Sequence, residues 1–364
     1  MLDARSLLVY CTTNQALRCA PIADRPHGGL IAAPHQGDLR GLLETAAYLR
    51  GRAGFGAPLE TAAYLRGRAG FGAPLLLDAA RYAGPDRLPA SAPFNPRWLR
   101  RQRELGLAVL TDSGYVDAGD ETGLASILQR TTAIPDGIAV LPLHPAWLRD
   151  RLHLTLLTRH IRATGVPVAL ALEAWADPFG LPGCVPGLLE VLRCGAPVML
   201  LRCDLSSLGA LCHGAVAAAV GTIAPLRHLA PRAGDAVRPP ATIFKPSLSY
   251  RRIRSIQRAK RAHPDPRLWT CDCPACDGRE LDWMAGLDDR EREVPAFEHA
   301  AAMLYALRTE LLGGDLPLPR AARSWAARCA DASHRERELG WEPTPMLRHW
   351  AETGSNPVDL PLAS

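Results

Sequence analysis

Eight short apolar runs recur along the first two thirds of the chain, at residues 7–10, 30–33, 75–77, 107–111, 138–143, 166–172, 198–202 and 217–222, with stretches of helical character between them. Runs that are apolar throughout suit strands buried on both faces, because a strand with one wet face would alternate. Their regular alternation with helices predicts a parallel α/β sheet, and eight is the strand number of a (β/α)8 TIM barrel. An open doubly wound sheet is compatible with the same pattern. Either architecture places its site beyond the carboxyl ends of the strands, where Asp112, His144, Glu173 and Asp204 stand.

With 364 residues, the chain exceeds the roughly 250–300 over which a single core keeps growing. The expected division is a barrel over residues 1–235, a basic stretch with a metal-binding subdomain over 236–315, and a C-terminal helix and loose tail over 316–364. Helices are expected over about 296–312 and 321–339. No stretch reaches the roughly 18 uncharged apolar residues that a membrane span needs. The first residues lack the basic start and small-residue cleavage site of a secretory signal. Ten cysteines spread thinly over such a chain are expected to be mostly reduced, and a cytoplasmic location follows.

Residues 43–58 read LETAAYLRGRAGFGAP, and residues 59–74 repeat them without a change. Two copies are too few for a solenoid. Each copy predicts a short helix ended by glycines, and one copy is expected to be dispensable.

Cys271, Cys273 and Cys276, in the pattern Cys-x-Cys-x2-Cys, are followed by His299. Three thiolates and one imidazole form the ligand set of a closed tetrahedral zinc site, which leaves no position for a reacting water. A structural Zn2+ that pins the His299 helix against the cysteine loop is expected.

This zinc pattern after a barrel, with Leu110-Thr111-Asp112-Ser113-Gly114 upstream, resembles the tRNA-guanine transglycosylase (queuine/archaeosine tRNA-ribosyltransferase) family over roughly residues 75–312. Asp112, Ser113 and Gly114 match the family's Asp-Ser-Gly-Gly-Phe-Gln; Tyr115, Val116 and Asp117 depart from it. The resemblance implies a zinc-containing TIM barrel and a glycosyltransferase (pentosyltransferase) that replaces guanine in tRNA by a 7-deazaguanine, as in queuosine formation. A divergent member, including one of the branch that modifies DNA, fits the altered motifs. Base exchange at C1′ passes through an oxocarbenium-like state and uses two carboxylates. The resemblance gives Asp112 the acid/base role. The last predicted strand lacks the family's nucleophilic aspartate, so Asp204 is the nearest substitute, or else caps the helix that follows it.

Around these, Ser113, Gly114, His144, Glu173 and Arg227 are candidate substrate-binding residues. His144 is placed to bond a base edge or to pack beside Pro145, and Arg227 to hold a phosphate. Between Asp235 and Asp265 the chain has no acid but eight cations, Arg238, Lys245, Arg251, Arg252, Arg254, Arg258, Lys260 and Arg261. Of these, Lys245, Arg251, Arg252, Arg254 and Arg258 are expected to bind nucleic acid, tRNA or DNA. A solvated cationic helix face is the plainer alternative. The expected partners are nucleic acid and a guanine or 7-deazaguanine base, with no membrane; a homodimer or partner subunit is compatible. The rival functions are a zinc-stabilised barrel that binds nucleic acid without catalysis, and an enzyme acting on a small nucleoside.

Overall fold

The structure is a computed structural model that describes residues 5–35, 37–50, 71–231, 240–313 and 316–354. The chain divides into two units, Met1–Pro178 with Gly183–Ala233, and Phe179–Pro182 with Gly234–Ser364.

The first unit alternates strand and helix throughout: β1 (Ser6–Thr12), α1 (Thr13–Ala23), β2 (Leu30–Ala33), α2 (Leu39–Leu49), β3 (Leu75–Leu77), α3 (Pro96–Glu104), β4 (Val109–Leu110), α4 (Glu121–Thr131), β5 (Gly137–Leu143), α5 (Ala146–Arg149), α6 (Arg151–Thr164), β6 (Val168–Leu172), α7 (Cys184–Leu192), β7 (Val198–Cys203), α8 (Ser206–Cys212), β8 (Ala217–Gly221) and α9 (Ala224–Arg227). The strands pair in parallel in the order β3-β2-β1-β8-β7-β6-β5-β4. Because the first strand pairs with the last, Ser6 opposite Ala217, the sheet curls into a nearly closed TIM-barrel-like fold. All eight strands read from the sequence are present, and the doubly wound alternative does not form. The helix of the first duplicated copy falls within α2, whereas that of the second, residues 60–66, lies outside the described residues.

Alternate strand residues fill the interior: Leu8 and Tyr10, Ile31 and Ala33, Ile138 and Val140, Ala169 and Ala171, Met199 and Leu201, Ala217 and Ala219. This is the layering that a period of two requires in a barrel. Between β3 and β4, the two ends of the sheet, the edge of β4 is met by side chains of α3. Asn95 caps α3 by accepting from the N–H groups of Arg97 and Trp98, with Pro96 at the first helical position. The buried face of α3 then brings Trp98 Nε1 to within 3.2 Å and Gln102 Nε2 to within 2.9 Å of the Leu110 carbonyl. Gln102 Oε1 accepts from Leu110 N at 3.1 Å.

The second unit holds an antiparallel hairpin of β9 (Ala241–Phe244) and β10 (Ser249–Arg252), then α10 (Ile253–Ala262), α11 (Pro266–Trp269), α12 (Asp289–Leu312), α13 (Leu318–Glu338) and α14 (Pro345–Glu352). Helix α12 starts well before the expected residue 296 and runs through Pro295. Asp288 and Glu291 form a capping box that fixes its start, and the proline forgoes only one backbone bond. The expected loose tail contains α14, whose Trp350 lies 5.9 Å from Phe179 and 6.3 Å from Trp325, ring centre to ring centre. Among the described residues no helix is long and apolar enough to cross a membrane.

Candidate functional site

The second unit has its own core of Phe244, Ile253, Ile256, Trp269, Leu281, Met284 and Ala296, and Cys273 and Cys276 belong to it. Phe244 stacks on Trp269 at 5.0 Å. The cysteine loop turns on itself: Cys276 N and Asp277 N both donate to the Cys273 carbonyl, at 3.0 and 2.8 Å, and Gly278 N donates to that of Cys271 at 3.1 Å. Asp277 and Gly278 sit at φ +51° and +71°, the left-handed backbone that glycine adopts without penalty. The tight turn aims all three thiols one way.

Those thiols meet the ring of His299 on α12. Its Nδ1 lies 3.4 Å from Cys271 Sγ, 3.4 Å from Cys273 Sγ and 3.3 Å from Cys276 Sγ. The four ligand atoms all lie within 4.8 Å of one another. A tetrahedral ion with M–S of about 2.3 Å and M–N of about 2.0–2.1 Å places sulfur and nitrogen about 3.5 Å apart, so the donor set fits one metal ion. The far nitrogen, Nε2, donates to the Ile243 carbonyl at 2.8 Å, which fixes the ring and leaves Nδ1 as the ligand. Among the described residues this is the one cluster of three or more metal-ligating side chains close enough to share an ion.

At the carboxyl ends of the barrel strands, the carboxylates are committed to other residues. Asp78 accepts from Tyr10 Oη at 2.8 Å and from Tyr82, and Arg202 lies over both rings with its Nε 3.3 Å from Tyr10 Oη. Burial raises the Tyr10 hydroxyl well above its ordinary range, with Arg202 opposing and Asp78 adding, so it stays a donor. Asp112 has a fully buried side chain, paired with Arg81 and bound by Asn95 N at 3.0–3.1 Å. The Ser113 hydroxyl turns to that of Thr111 at 2.8 Å. A Cβ on Gly114 would sit 2.0 Å from the Pro89 carbonyl oxygen, so only glycine fits there.

Glu173 accepts from Tyr115 Oη at 2.7 Å and pairs with Arg87, whose guanidinium covers the Tyr115 ring at 3.5 Å. His144 Nδ1 accepts from Ala146 N at 3.1 Å, a turn contact at the start of α5. Asp204 accepts from Leu205 N at 2.8 Å and lies 3.2 Å from His228 Nε2 and 3.9 Å from Arg227 Nε. Burial pushes its carboxyl up, but the His228 hydrogen bond and the Arg227 and His228 charges outweigh that and hold it below its ordinary value. No hydrogen bond or ion pair joins Asp112 to Asp204. Arg81, Arg87 and Arg202, which meet Asp112, Glu173 and Tyr10, carried no signal in the sequence; Asp78, one residue past β3, carried the same strand-end signal as the other acids.

The basic stretch divides in two. Lys245 is held by Glu310 at 2.6 Å, and Lys260 by Glu280 and Asp282 at 2.6 and 2.8 Å. Arg251 pairs with the fully buried carboxylate of Glu336 and covers the Trp341 ring at 4.7 Å. Lys245 is thus paired at the surface and Arg251 with a buried carboxylate, so both of these expected nucleic-acid contacts already have an acidic partner. Arg252, Arg254, Arg258 and Arg261 are exposed and pair with no acid among the described residues. The reason is rotational: α10 buries Ile253, Ile256 and Ala259, which turns positions 254, 258 and 261 outward as one stripe. Arg238 lies outside the described residues.

A TIM-barrel-like unit and a second unit with a Cys3His centre define the class of this protein. No family model matches the chain and no curated protein matches it. Among solved structures it is similar to the dipeptide epimerase from Methylococcus capsulatus complexed with Mg ion, at 14% identity over 66% of this chain and 62% of that one, with a TM-score of 0.31. The same enzyme complexed with Mg and the dipeptide L-Arg-D-Lys matches at 14% identity over 66% and 58%, with a TM-score of 0.29. The chain spans less than two thirds of the length of these structures, and likeness at this level assigns it no activity.

These findings correct the family expected from the motifs. The neighbours are dipeptide epimerases and not tRNA-guanine transglycosylases. Guanine exchange, the glycosyltransferase class and the queuosine chemistry are withdrawn with the resemblance, as are the acid/base and nucleophile roles it lent to Asp112 and Asp204.

Proposed function

We propose that this chain is a nucleic-acid-binding protein whose second unit is organised by one structural zinc ion. Zinc is favoured because three thiolates and an imidazole in a closed set are its preferred donors, and hard cations such as Mg2+ take oxygen ligands. Cys271, Cys273, Cys276 and His299 would hold it, and its contribution would be to folding. The ten cysteines form no disulfide, in keeping with a cytoplasmic location.

The carrying observation is the row Arg252, Arg254, Arg258 and Arg261. Lys245, Arg251 and Lys260 are each held by an acid, whereas these four have none among the described residues and face solvent. From Arg254 to Arg261 a helix rises about 10 Å, a length over which one strand of a duplex presents about three phosphates. Guanidinium forks match phosphate oxygens in pairs.

The test is fluorescence anisotropy with labelled duplex DNA and with unfractionated tRNA across a salt series. Each lost phosphate contact should flatten the slope of log Kobs against log salt by about 0.9 on a duplex, so Arg254→Gln/Arg258→Gln/Arg261→Gln should flatten it by up to about 2.7. Equal binding by this variant and the wild type to both polymers would sink the proposal.

A further inference from the structure

Helix α3 carries a second basic face, in the other unit. Its nine residues, Pro-Arg-Trp-Leu-Arg-Arg-Gln-Arg-Glu, bury Trp98, Leu99 and Gln102 and expose Arg97, Arg100, Arg101 and Arg103. Glu104, the one acid in the helix, pairs with Arg101 at 2.7 Å. Among the described residues Arg97, Arg100 and Arg103 make no ion pair. The helix cannot roll to hide them. Trp98 and Gln102 tie its inner face to Leu110, and Asn95 ties its start to Asp112.

We infer that α3 is a phosphate-backbone contact of the barrel unit, taking nucleic acid by the same chemistry as α10; this rests on the proposed function. Like charges at this spacing repel and weaken a helix, a cost that an anionic partner removes. From Arg97 to Arg103 the helix rises about 9 Å, again a length that faces two or three phosphates of one strand. A lipid surface fits less well, because a helix lying on a membrane presents apolar residues beside its cations, and the large apolar residues of α3, Trp98 and Leu99, point inward.

The experiment uses the full-length, metal-loaded protein with labelled duplex DNA and tRNA in a salt series. Arg97→Gln/Arg100→Gln/Arg103→Gln should flatten the salt slope on duplex DNA by up to about 2.7, and the corresponding triple Lys variant, which keeps the charge, should retain the wild-type slope. If the Gln variant binds as wild type while the α10 variant does not, the α3 contact is overturned and the α10 interface stands. If neither variant differs from wild type, both fall. Loss of binding to vesicles of anionic phospholipid with none to nucleic acid would assign the face to a membrane and overturn the inference.

Discussion

Gln102 caps the free edge of β4 at Leu110: one side-chain amide donates to the Leu110 carbonyl at 2.9 Å and accepts from its N–H at 3.1 Å. The glutamine supplies the pairing that a neighbouring strand would give at a sheet edge. Gln102→Leu should orphan the buried N–H of Leu110, while the carbonyl keeps Trp98. The expected cost is about 1–3 kcal/mol, seen as a lower urea midpoint with an unchanged slope. A wild-type midpoint would mean that the contact carries no net stability.

Purified protein should contain about one equivalent of zinc by elemental analysis. Cys273→Ser and His299→Ala should each lose it, and chelation should unfold the second unit, since the binding energy of a structural site is folding energy. Metal-free protein that melts at the wild-type temperature would refute the structural role.

Asp204 makes the stability of the fold depend on pH. Its folded carboxyl is held below the ordinary value, so its contribution is present above the unfolded pKa of about 3.9 and lost as pH falls through the folded one. Asp204→Asn should therefore destabilise the protein at neutral pH, and the gap to wild type should close progressively as pH falls below the unfolded value. Denaturation midpoints across pH measure this. A gap that is constant with pH would show that Asp204 acts without its charge.

Deleting residues 59–74 should leave a folded protein. Because the copies are identical, the shortened chain still carries the residues of Leu49, Phe71 and Pro74. In the intact protein Phe71 N bonds the Leu49 carbonyl at 3.1 Å, and the Pro74 carbonyl accepts from Leu30 N at 2.8 Å. The connection from Leu49 to that phenylalanine shrinks to residues 50–54, which lowers the closure entropy by about 1 kcal/mol. Thermal melting should show equal or slightly higher stability, and insoluble protein would contradict this.

The eight strands and the metal quartet were legible without a structure. Runs apolar on every residue can be buried only in a sheet covered on both faces, and three thiols within six positions followed by one imidazole are a zinc ligand set by residue type and spacing. What the tertiary structure alone decided is which charges are free. Arg202 reaches Tyr10 across 192 positions of sequence, and Arg251 reaches Glu336 across 85. No local pattern announces such partners. Arg251 and Arg254 look alike in the sequence, yet Arg251, on β10, is tied to a buried carboxylate, while Arg254 faces water because packing of Ile253 and Ile256 sets the rotation of α10. The Asp-Ser-Gly motif was visible but misleading, since folding gave its aspartate to Arg81 and its glycine to a close backbone contact with Pro89.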